Sequence, residues 1–99
     1  MIKVVTSQAL KAAEKLLMQN GVSEDQLIAR AAKYLYDEVI SRVSKTEPII
    51  AVAGSGNNGS DALECAIMLK ESGYNIGVFT TGSPVNECNR YRREKTKKL

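Results

Sequence analysis

The side chains best suited to chemistry lie in one stretch, Gly54-Ser55-Gly56-Asn57-Asn58-Gly59-Ser60-Asp61. It follows a short apolar run at residues 48–53 and precedes an apolar-periodic segment, so it reads as a strand, a glycine-rich turn and a helix. That order has chemical consequences. The unpaired amides of a helix's first turn point at the preceding loop, and the helix dipole favours negative charge there. Glycines permit close approach of backbone to a ligand. In open parallel sheets the ligand crevice lies at the carboxyl ends of the strands, where this loop falls.

Gly54, Gly56 and Gly59 match the glycine spacing of a dinucleotide fingerprint. That fingerprint also requires an acid about 20 residues on, at the end of the second strand, to hold the ribose hydroxyls. Here Phe79-Thr80-Thr81-Gly82-Ser83 supplies none. A phosphate loop fails as well, because Gly59 is followed by Ser60 and Asp61 instead of Lys and Ser or Thr. The side chains themselves indicate an oxygen-donor loop. Asn57 and Asn58 present carbonyl oxygens and amide donors, suited to ribose hydroxyls, a carboxamide or a hard cation. A structural reading competes with this one: Asn-Gly is turn chemistry, Ser60 caps a helix, and Asp61 is a first-turn acid.

The elements that must position the loop are legible from periodicity. A first helix is expected over residues 6–19, with Leu10, Ala13 and Leu17 on one face and Asn20-Gly21 as its stop. A second opens with a capping box, Ser23-Glu24-Asp25-Gln26, and carries Leu27, Ile28, Ala31, Leu35, Val39 and Val43 on one stripe. The run 48–53 lacks polar interruption, as a strand buried on both faces would. A helix is expected over about 60–72, with Cys65 as core filler, and a second strand over 75–80. The segment 48–80 is then a βαβ unit with parallel strands. Val4 and Val5 offer at most a short third strand. Two strands make a small sheet with open edges, which invites completion by a partner chain.

Charge is unevenly placed. The +3 total arises in residues 86–99, where six basic residues face Glu87 and Glu94; residues 1–85 hold eight basic and nine acidic residues. This basic C-terminal helix reads as a solvated face, with RNA contact as a weaker alternative. No histidine and no CxxC motif occur, so a zinc site or a Cys–His nucleophile is not expected, and Cys88 reads as a free surface thiol. No apolar run approaches a membrane span and the start has no leader shape, so no membrane association and a cytoplasmic location are the expectations.

The run Ala53 to Ala62, the helix ending Lys70-Glu71-Ser72-Gly73-Tyr74 and the strand ending at Phe79 resemble the YjeF N-terminal domain, the family of NAD(P)H-hydrate epimerases. The opening Val4-Val5-Thr6-Ser7 and the helix containing Leu27 to Ala32 are similar to that family's N-terminal helices. The resemblance spans nearly all of residues 1–99, read as one domain, and implies an α/β, three-layer αβα Rossmann-like fold with a truncated parallel sheet. It implies an enzyme that interconverts the R and S hydrates of NADH or NADPH, an isomerase of metabolite repair, and a homo-oligomer, often a dimer. By position, Asn57, Asn58, Gly59, Ser60 and Asp61 would line the hydrate site, with Asn58 a potassium ligand.

Departures accompany the likeness. Ser60 and Ala62 stand where the family has glycines, and Ile28-Ala29-Arg30-Ala31-Ala32 replaces its Met-Glu-x-Ala-Gly. The length corresponds to the family's N-terminal half, so no position matches its proton-transferring aspartate or its second potassium ligand; the catalytic residue is unassigned. The competing class is a non-catalytic nucleotide- or RNA-binding, dimerising module of the same fold.

Overall fold

The computed structural model describes residues 21–99. The helix expected over 6–19 and the strand at Val4 and Val5 lie outside the described residues. The order is α1 (Glu24–Ile40), β1 (Ile49–Ala53), α2 (Asn57–Glu71), β2 (Ile76–Thr80) and α3 (Glu87–Lys97).

Helix α1 starts where the capping box places it. The Ser23 hydroxyl accepts from the Gln26 amide at 3.2 Å, and the Gln26 side chain accepts from the Ser23 amide at 3.0 Å. Its buried residues are Leu27, Ile28, Ala32 and Val39. Ala32 has no exposed surface while Ala31 is half-buried, so the closest approach is one residue beyond the expected stripe position. Val43 falls after the helix yet still packs on the core.

Strands β1 and β2 pair in parallel, with Ile49 opposite Ile76 and Ala53 opposite Thr80, as a βαβ unit requires. Helix α2 is the centre of the fold, packing on both strands, on α1 and on α3. Leu63 and Leu69 are wholly buried on it, each stabilising by about 1.5–3 kcal/mol. One core cluster joins Ala32, Val39, Ile49, Cys65, Leu69 and Tyr74. A second, of Ala53, Ala62 and Leu63, lies directly under the glycine-rich loop. Ser72 closes α2, and Gly73 follows at φ +91°, the left-handed turn that favours glycine.

The expectation of a strand buried on both faces is corrected. In β1, Ile49, Ala51 and Ala53 are buried while Ile50 and Val52 are exposed, and Phe79 of β2 is exposed beside Val52. Among the described residues one sheet face is covered by α2 and the other by nothing. The result is a mixed α/β unit with a two-stranded parallel sheet, compatible with a truncated Rossmann-like αβα fold. Among the same residues no helix is long and apolar enough to cross a membrane.

Candidate functional site

The five candidate residues form a continuous cluster, but not as a loop. Helix α2 begins at Asn57, three residues earlier than expected, with Gly56 as its N-cap. Asn57, Asn58 and Gly59 are therefore its first turn. Ser60 is not the cap; its amide and hydroxyl both donate back to Gly56 O, at 3.0 and 3.2 Å. Asp61 lies in the second turn, buried and engaged within the protein.

The early start has a steric cause. A Cβ on Gly59 would sit 2.6 Å from Gly54 C and 2.8 Å from Gly54 N, and nearer still to Gly54 O. Only glycine lets the chain fold back so closely at the first turn, so the Asn-Gly that reads as a turn serves inside a helix.

The loop's polarity is one-sided. Gly54 O accepts from Asn89 Nδ2 at 3.0 Å and from Arg93 Nη2 at 3.3 Å. Ser55 O accepts from the Val85 amide at 2.9 Å, and Gly56 O from Asn89 Nδ2 at 2.9 Å. All three carbonyls are thus engaged by protein donors. Gly56 has no side chain to cap α2, and among the described residues the amides of Asn57, Asn58 and Gly59 have no capping acceptor. The site offers donors, reinforced by the positive end of α2.

The side chains divide the work. Asn57 Oδ1 accepts from Asn86 Nδ2 at 2.9 Å, which orients its own amide group as a donor. Asn58 is half-buried, and its side chain makes no hydrogen bond among the described residues. Its oxygen can take a hydroxyl or a cation. A hard cation calls for roughly six or more oxygens. With the loop carbonyls engaged, Asn58 Oδ1 is an unengaged side-chain oxygen of the loop among the described residues, too little by itself for a potassium shell.

Sequence reasoning missed what holds the loop. Asn89 and Arg92 of α3 are buried, which corrects the reading of the basic segment as a solvated face. Arg92 bridges three helices, meeting Asp25 Oδ1 at 2.8 Å and Glu64 Oε2 at 3.4 Å. Arg93 donates to Thr81 O and Gly82 O, both at 2.7 Å, joining the loop after β2 to the loop after β1. Arg90 and Lys97 pair with Glu87 and Glu94 on α3 itself. A signal existed: Asn89, Arg92, Arg93 and Thr96 share one helical face at i, i+3, i+4 and i+7, but polar residues on such a face ordinarily meet water.

Local electrostatics follow from these contacts. The Arg92 guanidinium, first by hydrogen bonding, holds the Asp25 carboxyl below its usual range. Burial, with Asp25 and Glu24 nearby, pushes the half-buried Cys88 thiol up. Burial alone raises Cys65 to about 11. Neither cysteine is an activated nucleophile.

Fold and site together define a Rossmann-like α/β unit with a donor-lined glycine loop at the carboxyl end of its first strand. A family model described as "YjeF-related protein N-terminus" matches residues 24–99. The chain belongs to that family. It is 33% identical over 86 residues to the NAD(P)H-hydrate epimerase of Bordetella pertussis (strain CS), covering 87% of this chain and 36% of that protein. It is 27% identical over 96 residues to the NAD(P)H-hydrate epimerase of Limosilactobacillus fermentum, covering 91% of this chain and 46% of that one. Against the bifunctional NAD(P)H-hydrate repair enzyme Nnr of Coxiella burnetii it is 29% identical over 76 residues, 77% of this chain and 16% of that protein. The chain therefore spans less than half the length of each of these relatives.

Proposed function

We propose that this chain is a nucleotide-hydrate-binding domain of the NAD(P)H-hydrate epimerase type, with residues 57–61 as its site and the first turn of α2 as the contact surface. One observation carries the reading: the carbonyls of Gly54, Ser55 and Gly56 are engaged by protein donors, while the first-turn amides of α2 lack a capping acceptor among the described residues. Such a surface accepts phosphate or hydroxyl oxygens of a nucleotide. Asn57 donates, Asn58 accepts, and Gly59 lets the Gly54 backbone pack against the first turn. Ser60 and Asp61 support the turn from within. Family membership and the similarity to NAD(P)H-hydrate epimerases support a nicotinamide nucleotide hydrate as the substrate class.

Interconverting the R and S hydrates needs an acid–base group within hydrogen-bond reach of the reacting centre. Asp61 is given no such role, because its buried side chain is already engaged inside the protein. In this proposal the described residues bind and orient the nucleotide, and epimerase activity belongs to the complete site. Potassium would use Asn58 Oδ1 as one ligand, and no step is assigned to it. The exposed apolar face of Ile50, Val52 and Phe79 supports self-association, measurable by sedimentation.

The test is isothermal titration of the chain with NADPH hydrate, in potassium chloride and in choline chloride. Binding that is stronger in potassium, and loses that dependence in Asn58→Ala, is expected. Unchanged potassium dependence in Asn58→Ala would remove Asn58 from the cation's shell, and no binding of the hydrate in either salt would overturn the proposal.

A further inference from the structure

Asn89 is the wholly buried polar side chain of α3, and the proposal above gives it no part. Its Nδ2 donates to two carbonyl oxygens of the same loop, Gly54 O at 3.0 Å and Gly56 O at 2.9 Å. The orientation of the amide is dictated by chemistry, since only the NH2 end can face two acceptors. Its Oδ1, also buried, has no hydrogen-bond partner among the described residues. Burying an acceptor without a partner opposes folding, and an apolar side chain would avoid that penalty. What Asn89 does that leucine could not is turn two loop carbonyls inward.

We infer that Asn89 is a positioning residue for the donor surface at the start of α2. Each peptide unit is planar, so fixing the direction of a carbonyl also fixes the amide of the next residue. Tying Gly54 O and Gly56 O to Asn89 sets the Ser55 and Asn57 amides, the latter being the first amide of α2. Asn89 is itself fixed: its amide donates to Asn86 Oδ1 at 2.9 Å, while Asn86 Nδ2 holds Asn57 Oδ1. Helix α3 thereby clamps both the backbone and one side chain of the candidate site. This inference rests on the reading of residues 57–61 as the nucleotide site, though the clamp itself can be measured without ligand.

The experiment is nuclear magnetic resonance on the isotope-labelled 99-residue chain, with NADPH hydrate added only at the end. In the unliganded wild type, scalar couplings from Asn89 Nδ2 to the carbonyl carbons of Gly54 and Gly56 are expected; their absence overturns the clamp, and needs no variant to fold. In Asn89→Ala, hydrogen exchange at Ser60 and Val85, whose amides donate to Gly56 O and Ser55 O, should quicken about tenfold, as for loss of one to two hydrogen bonds. Exchange at Ala32 in the core of α1 should not change by that factor. Quickening spread equally over α1 and α2 means a merely structural role and also overturns it. Adding the hydrate separates the two readings. A wild type that shows the couplings but binds nothing keeps the clamp and loses the site. Binding equally tight in wild type and Asn89→Ala keeps the site and removes Asn89 from positioning it.

Discussion

Gly59→Ala sets two physical effects against each other, so its sign is informative. Gly59 is the third residue of α2, and replacing a helical glycine by alanine normally stabilises by about 0.5–1 kcal/mol. Here the added Cβ would lie 2.6 Å from Gly54 C and 2.8 Å from Gly54 N. Ordinary carbon contacts begin near 3.5 Å, so the two backbone segments must part by about 1 Å. No side-chain rotation can relieve a clash with backbone, which places the cost near the upper end of overpacking, about 3 kcal/mol. The net effect is a loss of about 2 kcal/mol, lowering the melting temperature of a chain this size by roughly 8–16 °C. Thermal unfolding followed by far-ultraviolet circular dichroism reads this directly. Gly77→Ala is the control, because its Cβ would have nothing within 4 Å, and it should melt within about 4 °C of wild type. A Gly59→Ala chain that melts at or above wild type would refute the close approach and, with it, the reason α2 starts at Asn57.

Arg92→Met should lower stability by about 3 kcal/mol, since it strips Glu64 and Asp25 of a buried partner; urea unfolding measures it. Asp25 has its folded carboxyl held below the usual value near 3.8, so its contribution is complete at neutral pH and fades as pH falls through the folded value. Asp25→Asn should flatten that acid limb of the stability profile, by little because Asp25 is largely exposed. Asn86→Asp keeps the oxygen that caps α3 but places a carboxylate against Asn57 Oδ1; nucleotide affinity should fall by about tenfold, roughly 1.4 kcal/mol, with helix content unchanged. Alkylation at pH 8 should modify Cys88 well before Cys65, whose pKa of about 11 and burial both protect it.

The elements could be read from local signals because their causes are local. Ser23 and Gln26 sit three residues apart and cap α1 from that spacing alone, and the change of period at Ile49 marks β1. What the sequence hid depends on contacts between distant residues. Nothing near Asn57 says that Gly54 O will press on Gly59, so local signals alone point to a start of α2 near Ser60. Asn89 and Arg92 look like members of a charged, water-facing helix, yet their partners are Gly54, Gly56, Asp25 and Glu64, 28 to 67 positions away. The exposure of Ile50 and Val52 was equally hidden, because an unbroken apolar run reads the same whether or not a layer covers it.

The central claim is that residues 57–61 receive a nicotinamide nucleotide hydrate. Its most direct test is amide-resolved mapping of NADPH hydrate on the isotope-labelled chain. Shifts concentrated at Asn57, Asn58 and Gly59, with the Asn58 side-chain amide moving in the same titration, are the predicted result. Shifts confined to the exposed basic residues of α3, abolished by salt and absent from the start of α2, would contradict it.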